Sequence, residues 1–296
     1  MRARTRLLLP AVALALGLTG LMSACHSRDG AQDTLPGSDA TVVVGGHPMH
    51  YQLYGHGTPL LLLHGGGNTI AGSFSHQLAY FAAEHLIIAP EQVGQGKTPD
   101  TDQEWSYVAM AEQTVALLDQ LKIPQVDVVG WSDGGIVGLL IASRYPERVR
   151  HLVVSGANTI PGATALTPDA MAGDASYDPS TDRDGRAAYT RTSADPPEHF
   201  PVFARKLHKL WDTQPLAGEL GAEQLARIRA PTLVMAGDHD MINLEHTIGI
   251  YRAIPGARLM IVPGTGHDTL VSRPDWLNPI IAEFFDRTPG ASEGQR

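Results

Sequence analysis

Residues 126–136, Val-Asp-Val-Val-Gly-Trp-Ser-Asp-Gly-Gly-Ile, constrain this chain more than any other stretch. Apolar β-branched residues, broken by one acid at Asp127, run into Gly130-Trp131-Ser132-Asp133-Gly134, and an apolar helical pattern follows through Ile136, Leu139, Leu140 and Ala142. That order predicts a buried strand, a very tight turn and a helix. A serine at such a turn is held in strained backbone geometry with its hydroxyl pushed out at the sheet edge. The flanking glycines let strand and helix approach where a Cβ would clash. Asp127 reads as structural, its carboxylate satisfied near the strand start by solvent or a loop donor.

The same strand-then-helix alternation recurs along the chain. Leu60–Leu63 and Leu86–Ala89 are short apolar runs suited to strands buried on both faces, and Leu152–Val154, Pro231–Ala236 and Arg258–Val262 continue the series. Between them, Ser73–Glu84 and Tyr107–Leu121 carry helical stripes, Phe74, Leu78 and Phe81 in one and Val108, Ala111, Val115 and Leu118 in the other. Alternation of this kind builds an α/β domain with a mostly parallel sheet covered on both faces. Periodicity stops over residues 157–202, which are rich in Pro, Gly, Asp, Ser and Thr, and returns at Phe203, Leu207 and Trp211.

The G-W-S-D-G-G turn in this setting resembles the α/β-hydrolase superfamily, and within it the subgroup of valacyclovir-hydrolase-like and other small ester hydrolases. The resemblance covers roughly Thr41 to Phe285. It implies the α/β-hydrolase fold, opened by an antiparallel hairpin through Gly45-Gly46, with the core at 41–156 and 223–288 and an inserted cap at 157–222. Ser132 then stands as nucleophile. His267, in a Gly-rich turn after the last strand, stands as base. Asp240, three residues past Gly237, is the acid that the family spacing favours, with Asp238 as its rival. The order Ser, Asp, His is the one this fold uses. The resemblance places an oxyanion hole at the backbone N–H groups of Gly66, in His64-Gly65-Gly66-Gly67, and of Asp133. Gly65, Trp131 and Asp133 would border the substrate; the Asp133 carboxylate reads as a local N-cap-like acceptor that holds the turn, and the alternative is that it helps receive the amino group of an amino-acid ester, as the matching aspartate does in those relatives. His64 reads as a structural histidine. Relatives often carry an aspartate and an arginine where this chain has Glu91 and Val93, so a loop-stabilising ion pair is expected to be missing.

The expected activity is serine-dependent hydrolysis of a small or medium carboxylic ester through an acyl-enzyme. Lactone, amide or C–C hydrolysis with the same triad is the alternative, and a non-catalytic, lipid-tethered binding protein on the same fold is another. Aspartate-nucleophile chemistries are disfavoured because serine occupies position 132. The formal net charge of −9 argues against nucleic-acid partners. No metal or organic cofactor is implied: the acids of 157–222 are scattered without companion histidines at ligand spacing, and no G-x-G-x-x-G opens a βαβ unit.

The first residues carry a separate message. Arg2, Arg4 and Arg6 precede an uncharged apolar run over residues 7–24, which reads as a signal peptide spanning 1–24; a membrane-spanning anchor is the alternative. The run ends in Met22-Ser23-Ala24-Cys25, which resembles a bacterial lipobox, and Cys25 is the only cysteine. Residues 25–40 would then be a lipid-anchored linker on an extracytoplasmic membrane face and 289–296 a polar tail. Intact-mass analysis of the protein expressed in a bacterial host should show an acylated chain beginning at Cys25, and Cys25→Ser should abolish both acylation and cleavage. An unmodified mature N-terminus elsewhere would overturn the anchor.

Overall fold

The computed structural model describes residues 37–161, 165–213 and 218–286. The expected signal segment, Cys25, most of the linker and the polar tail lie outside the described residues. Eight strands form one sheet in the order β1-β2-β4-β3-β5-β6-β7-β8. β1 (Ser38–Val44) and β2 (His47–Tyr54) form the antiparallel hairpin, and β2 runs antiparallel to β4 (His85–Pro90). β3 (Thr58–Leu63), β4, β5 (Val126–Trp131), β6 (Val149–Ser155), β7 (Thr232–Gly237) and β8 (Arg258–Val262) are parallel.

Strand period explains the two cores. Leu61, Leu63, Val128, Leu152 and Val154 join one apolar cluster, while Leu60, Leu62, Val129 and Val153 join the other. Successive side chains of one strand point to opposite faces, so an unbroken apolar run is what a two-sided sheet requires. Helix α1 (Ile70–Phe81) brings Phe74, Leu78 and Phe81 to the second cluster. Helices α2 (Tyr107–Gln120) and α3 (Asp133–Arg144) cover the first with Met110, Leu117, Ile136, Leu139 and Leu140.

Several boundaries differ from expectation for local reasons. β1 begins at Ser38, paired with Leu53, so residues 38–40 belong to the sheet and not to the linker. The polar edge strand hides its pairing: Asp39 takes the Lys97 ammonium and the Gln52 amide. α1 starts at Ile70 because the Thr69 hydroxyl accepts the Gly72 N–H at 3.1 Å as an N-cap. Asp127 is fully buried, and its partners are neither solvent nor a loop. They lie on the adjacent strand, where Arg150 makes a two-toothed ion pair with it and His151 Nδ1 lies 2.8 Å from Oδ1. Glu91 likewise has its own partners: it is buried, accepts the Lys97 backbone N–H at 2.7 Å, and contacts His50 Nδ1 at 3.0 Å. The loop after β4 is therefore held without the pair seen in relatives.

Between β6 and β7 the chain forms α4 (Pro168–Ala175), α5 (Arg183–Thr192) and α6 (Phe200–Thr213), and returns through the short α7 (Ala222–Leu225). Asp182 caps α5 by accepting the Gly185 N–H at 2.8 Å. Phe200, Phe203 and Leu207 of α6 are buried, with Tyr189 of α5 against Phe203. The buried Lys206 donates to Asp100 Oδ1 at 2.9 Å and to the carbonyls of Thr101 and Gln103, and His199 Nε2 reaches Asp100 Oδ2 at 2.8 Å. α6 is thereby fastened to the loop that follows β4. After β7 come α8 (Leu244–Ala253), β8, the short α9 (Thr269–Ser272) and α10 (Pro274–Asp286).

β3 and the start of α3 approach each other closely at Gly134. A Cβ built on Gly134 would lie 2.0 Å from the Leu63 carbonyl oxygen, whereas one built on Gly249, in α8, meets nothing within 4 Å. Gly134→Ala should therefore destabilise the domain by about 3 kcal/mol, while Gly249→Ala should stabilise it by about 0.5–1 kcal/mol through helix propensity. Thermal melts of the two variants check this, and equal melting temperatures would contradict the packing argument.

Candidate active site

β5 ends at Trp131 and α3 begins at Asp133, so Ser132 must turn the chain alone. It does so at φ 54°, ψ −121°, in a region that residues with a Cβ rarely occupy. Backbone hydrogen bonds hold it there: Ser132 N–H donates to Ser155 O at 2.8 Å, and Ser132 O accepts from Gly135 and Ile136 at 2.8 and 3.1 Å. The Ser132 Oγ lies 2.9 Å from His267 Nε2, and His267 Nδ1 lies 2.7 Å from Asp240 Oδ1. A hydroxyl, an imidazole and a carboxylate in sequence can move the hydroxyl proton onto the ring while the carboxylate stabilises the resulting charge.

The supports of this line come from three loops. Asp240 is buried, and its Oδ1 also accepts the Ile242 N–H at 3.0 Å. Burial alone would lower the His267 pKa, but the facing Asp240 carboxylate, joined by the charges of Asp133 and Asp268, outweighs burial and raises it above the ordinary imidazole value. The same pairing outweighs burial at Asp240 and holds that carboxyl low. Trp131 donates its indole N–H to the His267 backbone carbonyl at 2.7 Å, with its ring 5.6 Å from the imidazole. Expected at the substrate border, Trp131 therefore also fixes the histidine loop. Gly65 makes room for it, since a Cβ there would fall 2.9 Å from the indole. Asp238 is exposed and away from His267. It accepts from Gly264 and Thr265 N–H at 2.8 and 3.2 Å, and these bonds, with His239 foremost, bring its pKa down to about 2. Of the two aspartates, only Asp240 reaches the imidazole.

His64 is buried, its Nδ1 2.8 Å from Gly65 O, and its Nε2 accepts the Gln92 N–H at 3.0 Å. Burial lowers its pKa. It is a neutral brace between two loops, as expected of a structural histidine.

Asp133 differs from expectation. Its N–H opens α3 and so lies outside the intrahelical ladder, and Gly66 is against it: a Cβ on Gly66 would lie 2.2 Å from Asp133 Oδ2. Its carboxylate, however, is not free. It accepts the Trp211 indole N–H at 3.2 and 3.1 Å and a hydrogen bond from the Tyr107 hydroxyl. Burial pushes its pKa up to about 6, although both donors pull the other way. Trp211 and Tyr107 are site residues that the sequence reading did not identify. Trp211 was visible only as one member of an apolar stripe, and nothing local to Tyr107 marks it. A cavity of about 130 Å³ opens over Ser132 and His267, its apolar wall including Leu166, Phe203, Leu207, Met241 and Ile242.

The relatives agree with this architecture. Residues 60–280 match the model of the alpha/beta hydrolase family. Serine hydrolase BPHL of Homo sapiens is 28% identical over 262 residues, covering 84% of this chain and 86% of that protein. A 2-hydroxymuconate semialdehyde hydrolase of Pseudomonas putida is 28% identical over 271 residues, covering 82% and 92%. Among solved structures, the 2-hydroxy-6-oxo-6-phenylhexa-2,4-dienoate hydrolase of Rhodococcus sp. strain RHA1 superposes with a TM-score of 0.72 at 21% identity, over 86% of this chain and all of that one. With the family model spanning most of the chain and the parallel sheet and turn in place, this protein belongs to the alpha/beta hydrolase family and is a hydrolase.

Proposed function

We propose that the protein is a serine hydrolase of small carboxylic esters, with Ser132 as nucleophile, His267 as general base and Asp240 as the acid that orients it. The reading rests on the continuous hydrogen-bond line from Ser132 Oγ through His267 to Asp240 beneath the cavity. Ser132 Oγ attacks the ester carbonyl as its proton passes to His267 Nε2. The carbonyl oxygen takes up negative charge between the N–H groups of Asp133 and Gly66. The imidazolium then returns the proton to the departing alkoxide, leaving an acyl-serine. Water, deprotonated by His267, attacks this ester, and the proton returns to Ser132 as the carboxylic acid leaves. The Asp133 N–H at the start of α3, with that of Gly66 in the loop after β3, is suited to a developing anion. The short cavity and its apolar wall favour a compact apolar group.

C–C hydrolysis with the same three residues is the second reading, and a semialdehyde hydrolase and a dienoate hydrolase are among the similar proteins. Charge favours the ester. The charged residues lining this cavity are Asp133, Asp182 and Asp212, with no lysine or arginine among the described lining residues. A dienoate carboxylate would enter beside like charges, which disfavours it. The proposed place of action is the extracytoplasmic membrane face to which a lipid on Cys25 would hold the enzyme.

Ser132→Ala should fold normally, lower kcat for p-nitrophenyl esters by about 10⁵-fold or more, and lose fluorophosphonate labelling. Wild-type-like turnover by this variant would end the serine-hydrolase reading. Asp240→Asn should cost about 10⁴-fold in kcat, whereas Asp238→Asn should cost little, because Asp238 touches only the loop backbone and His239. The two aspartates also differ in the pH profile. His267 must be neutral to accept the proton, so kcat/KM should fall as pH drops through its raised pKa, above 6.5. Removing the Asp240 charge should move that limb down, and Asp238→Asn should leave it in place. Equal losses and unmoved limbs in both variants would remove Asp240 from the assignment.

A further inference from the structure

We propose that Trp211 is a positioning residue for hydrolysis: by donating its indole N–H to the Asp133 carboxylate, it makes the oxyanion site complete only when helix α6 is seated on the core. The inference rests on the ester-hydrolase reading above, in which the Asp133 and Gly66 N–H groups receive the oxyanion.

The geometry is a three-way contact. Trp211 Nε1 reaches both oxygens of Asp133, 78 residues away in sequence, from a helix that belongs to the segment between β6 and β7. A Cβ on Gly66 would lie 2.2 Å from Asp133 Oδ2 and 3.1 Å from Trp211 Nε1. The indole, the carboxylate and the Gly66 backbone therefore share one small space, and displacement of any one moves the others. The Tyr107 hydroxyl holds the same carboxylate from the core side. Asp133 is thus clamped between a core donor and a donor that α6 carries.

The clamp answers an electrostatic problem. A buried carboxylate beside a forming oxyanion repels it, and repulsion is strong where water is excluded. Two hydrogen bonds to the carboxylate draw its charge away from the oxyanion and fix the residue whose backbone N–H must point at it. Loss of the Trp211 donor leaves that charge less compensated and the first residue of α3 less constrained. α6 itself is held independently by Lys206 and His199 on Asp100, so deleting the indole N–H need not unseat the helix. His208 packs edge-on to Trp211 at 5.1 Å and keeps the ring in place when the N–H is removed.

The experiment compares wild type and Trp211→Phe, full chain, on p-nitrophenyl acetate and p-nitrophenyl butyrate, together with the rate of fluorophosphonate reaction at Ser132. Expected is a fall in kcat of about tenfold for both esters, within the hundredfold that a small misplacement of reacting groups can cost, with KM little changed and phosphonylation slowed to match. A rise in KM alone, or a loss confined to the longer ester, would mean that Trp211 only shapes the pocket wall and would overturn the proposal. In an Asp133→Ala background, Trp211→Phe should have no further effect; persistence of the full loss there also overturns it. Should Asp133→Ala fail to fold by thermal melt, Asp133→Asn replaces it: its neutral oxygen is a weaker acceptor, so Trp211→Phe must cost less than in wild type, and an equal cost counts against the proposal. A wild type that neither turns over the esters nor reacts with the probe sinks the ester-hydrolase reading and this inference together. An active wild type with an equally active Trp211→Phe sinks this inference alone.

Discussion

Everything in this molecule follows from how closely α3 can approach the sheet. The Gly134 backbone lies against the Leu63 and His64 carbonyls, and Gly130 lies against Gly134. With no side chain to hold the pieces apart, the turn between them shrinks to one residue, and Ser132 takes a conformation that costs of order 1–3 kcal/mol. The surrounding hydrogen bonds to Ser155, Gly135 and Ile136 make that conformation the only one available. Strain and the placement of the hydroxyl have the same origin, because the geometry that is costly for a serine is the one that lifts its hydroxyl out of the sheet toward His267.

The remaining polar groups place charge along the hydrogen-bond line of Ser132, His267 and Asp240. Asp240 and His267 stabilise each other's charged forms despite burial, while burial prevails at Asp133, whose hydrogen-bond donors are the neutral Trp211 and Tyr107 and on which the His267 charge has a smaller pull, and its pKa rises. Two aspartates on either side of the same imidazole thus differ in character by their partners alone. Asp238 shows a third fate: exposed, low in pKa and committed to loop amides, it builds the turn that carries His267.

The sheet, its order of strand and helix, and the Ser132, Asp240 and His267 positions were legible because each has a local signature: an apolar run, a helical stripe, a glycine at a fixed offset. The choice between Asp240 and Asp238 came from spacing, and it agrees with the side chain that the fold turns toward the imidazole. What could not be read was pairing between distant segments. Asp127 meeting Arg150 and His151 depends on the register of β5 with β6. Glu91 satisfies its loop through His50 and Lys97, and Trp211 with Tyr107 meets Asp133 from two helices. Edge strand β1 was shortened to a linker because its polar residues hide hydrogen bonds that only the partner strand reveals.

The Lys206 ammonium has a consequence beyond holding α6. It is buried and donates to one carboxylate and two carbonyl oxygens. A cation in such a place cannot give up its partners one at a time, since each loss leaves a buried charge short of compensation. That edge of the insertion behaves as a rivet: fully set or fully drawn. The insertion also meets the loop after β7 beside the cavity wall, where Leu166 bridges to Ile242, Thr167 N–H donates to Met241 O at 2.8 Å and Asn243 N–H donates to Ala165 O at 2.7 Å. The insertion is thus pinned at both places, and Gly156 at its start lies against the His267 ring, where a Cβ would fall 2.7 Å from the imidazole, so that a larger residue there would press on the histidine itself.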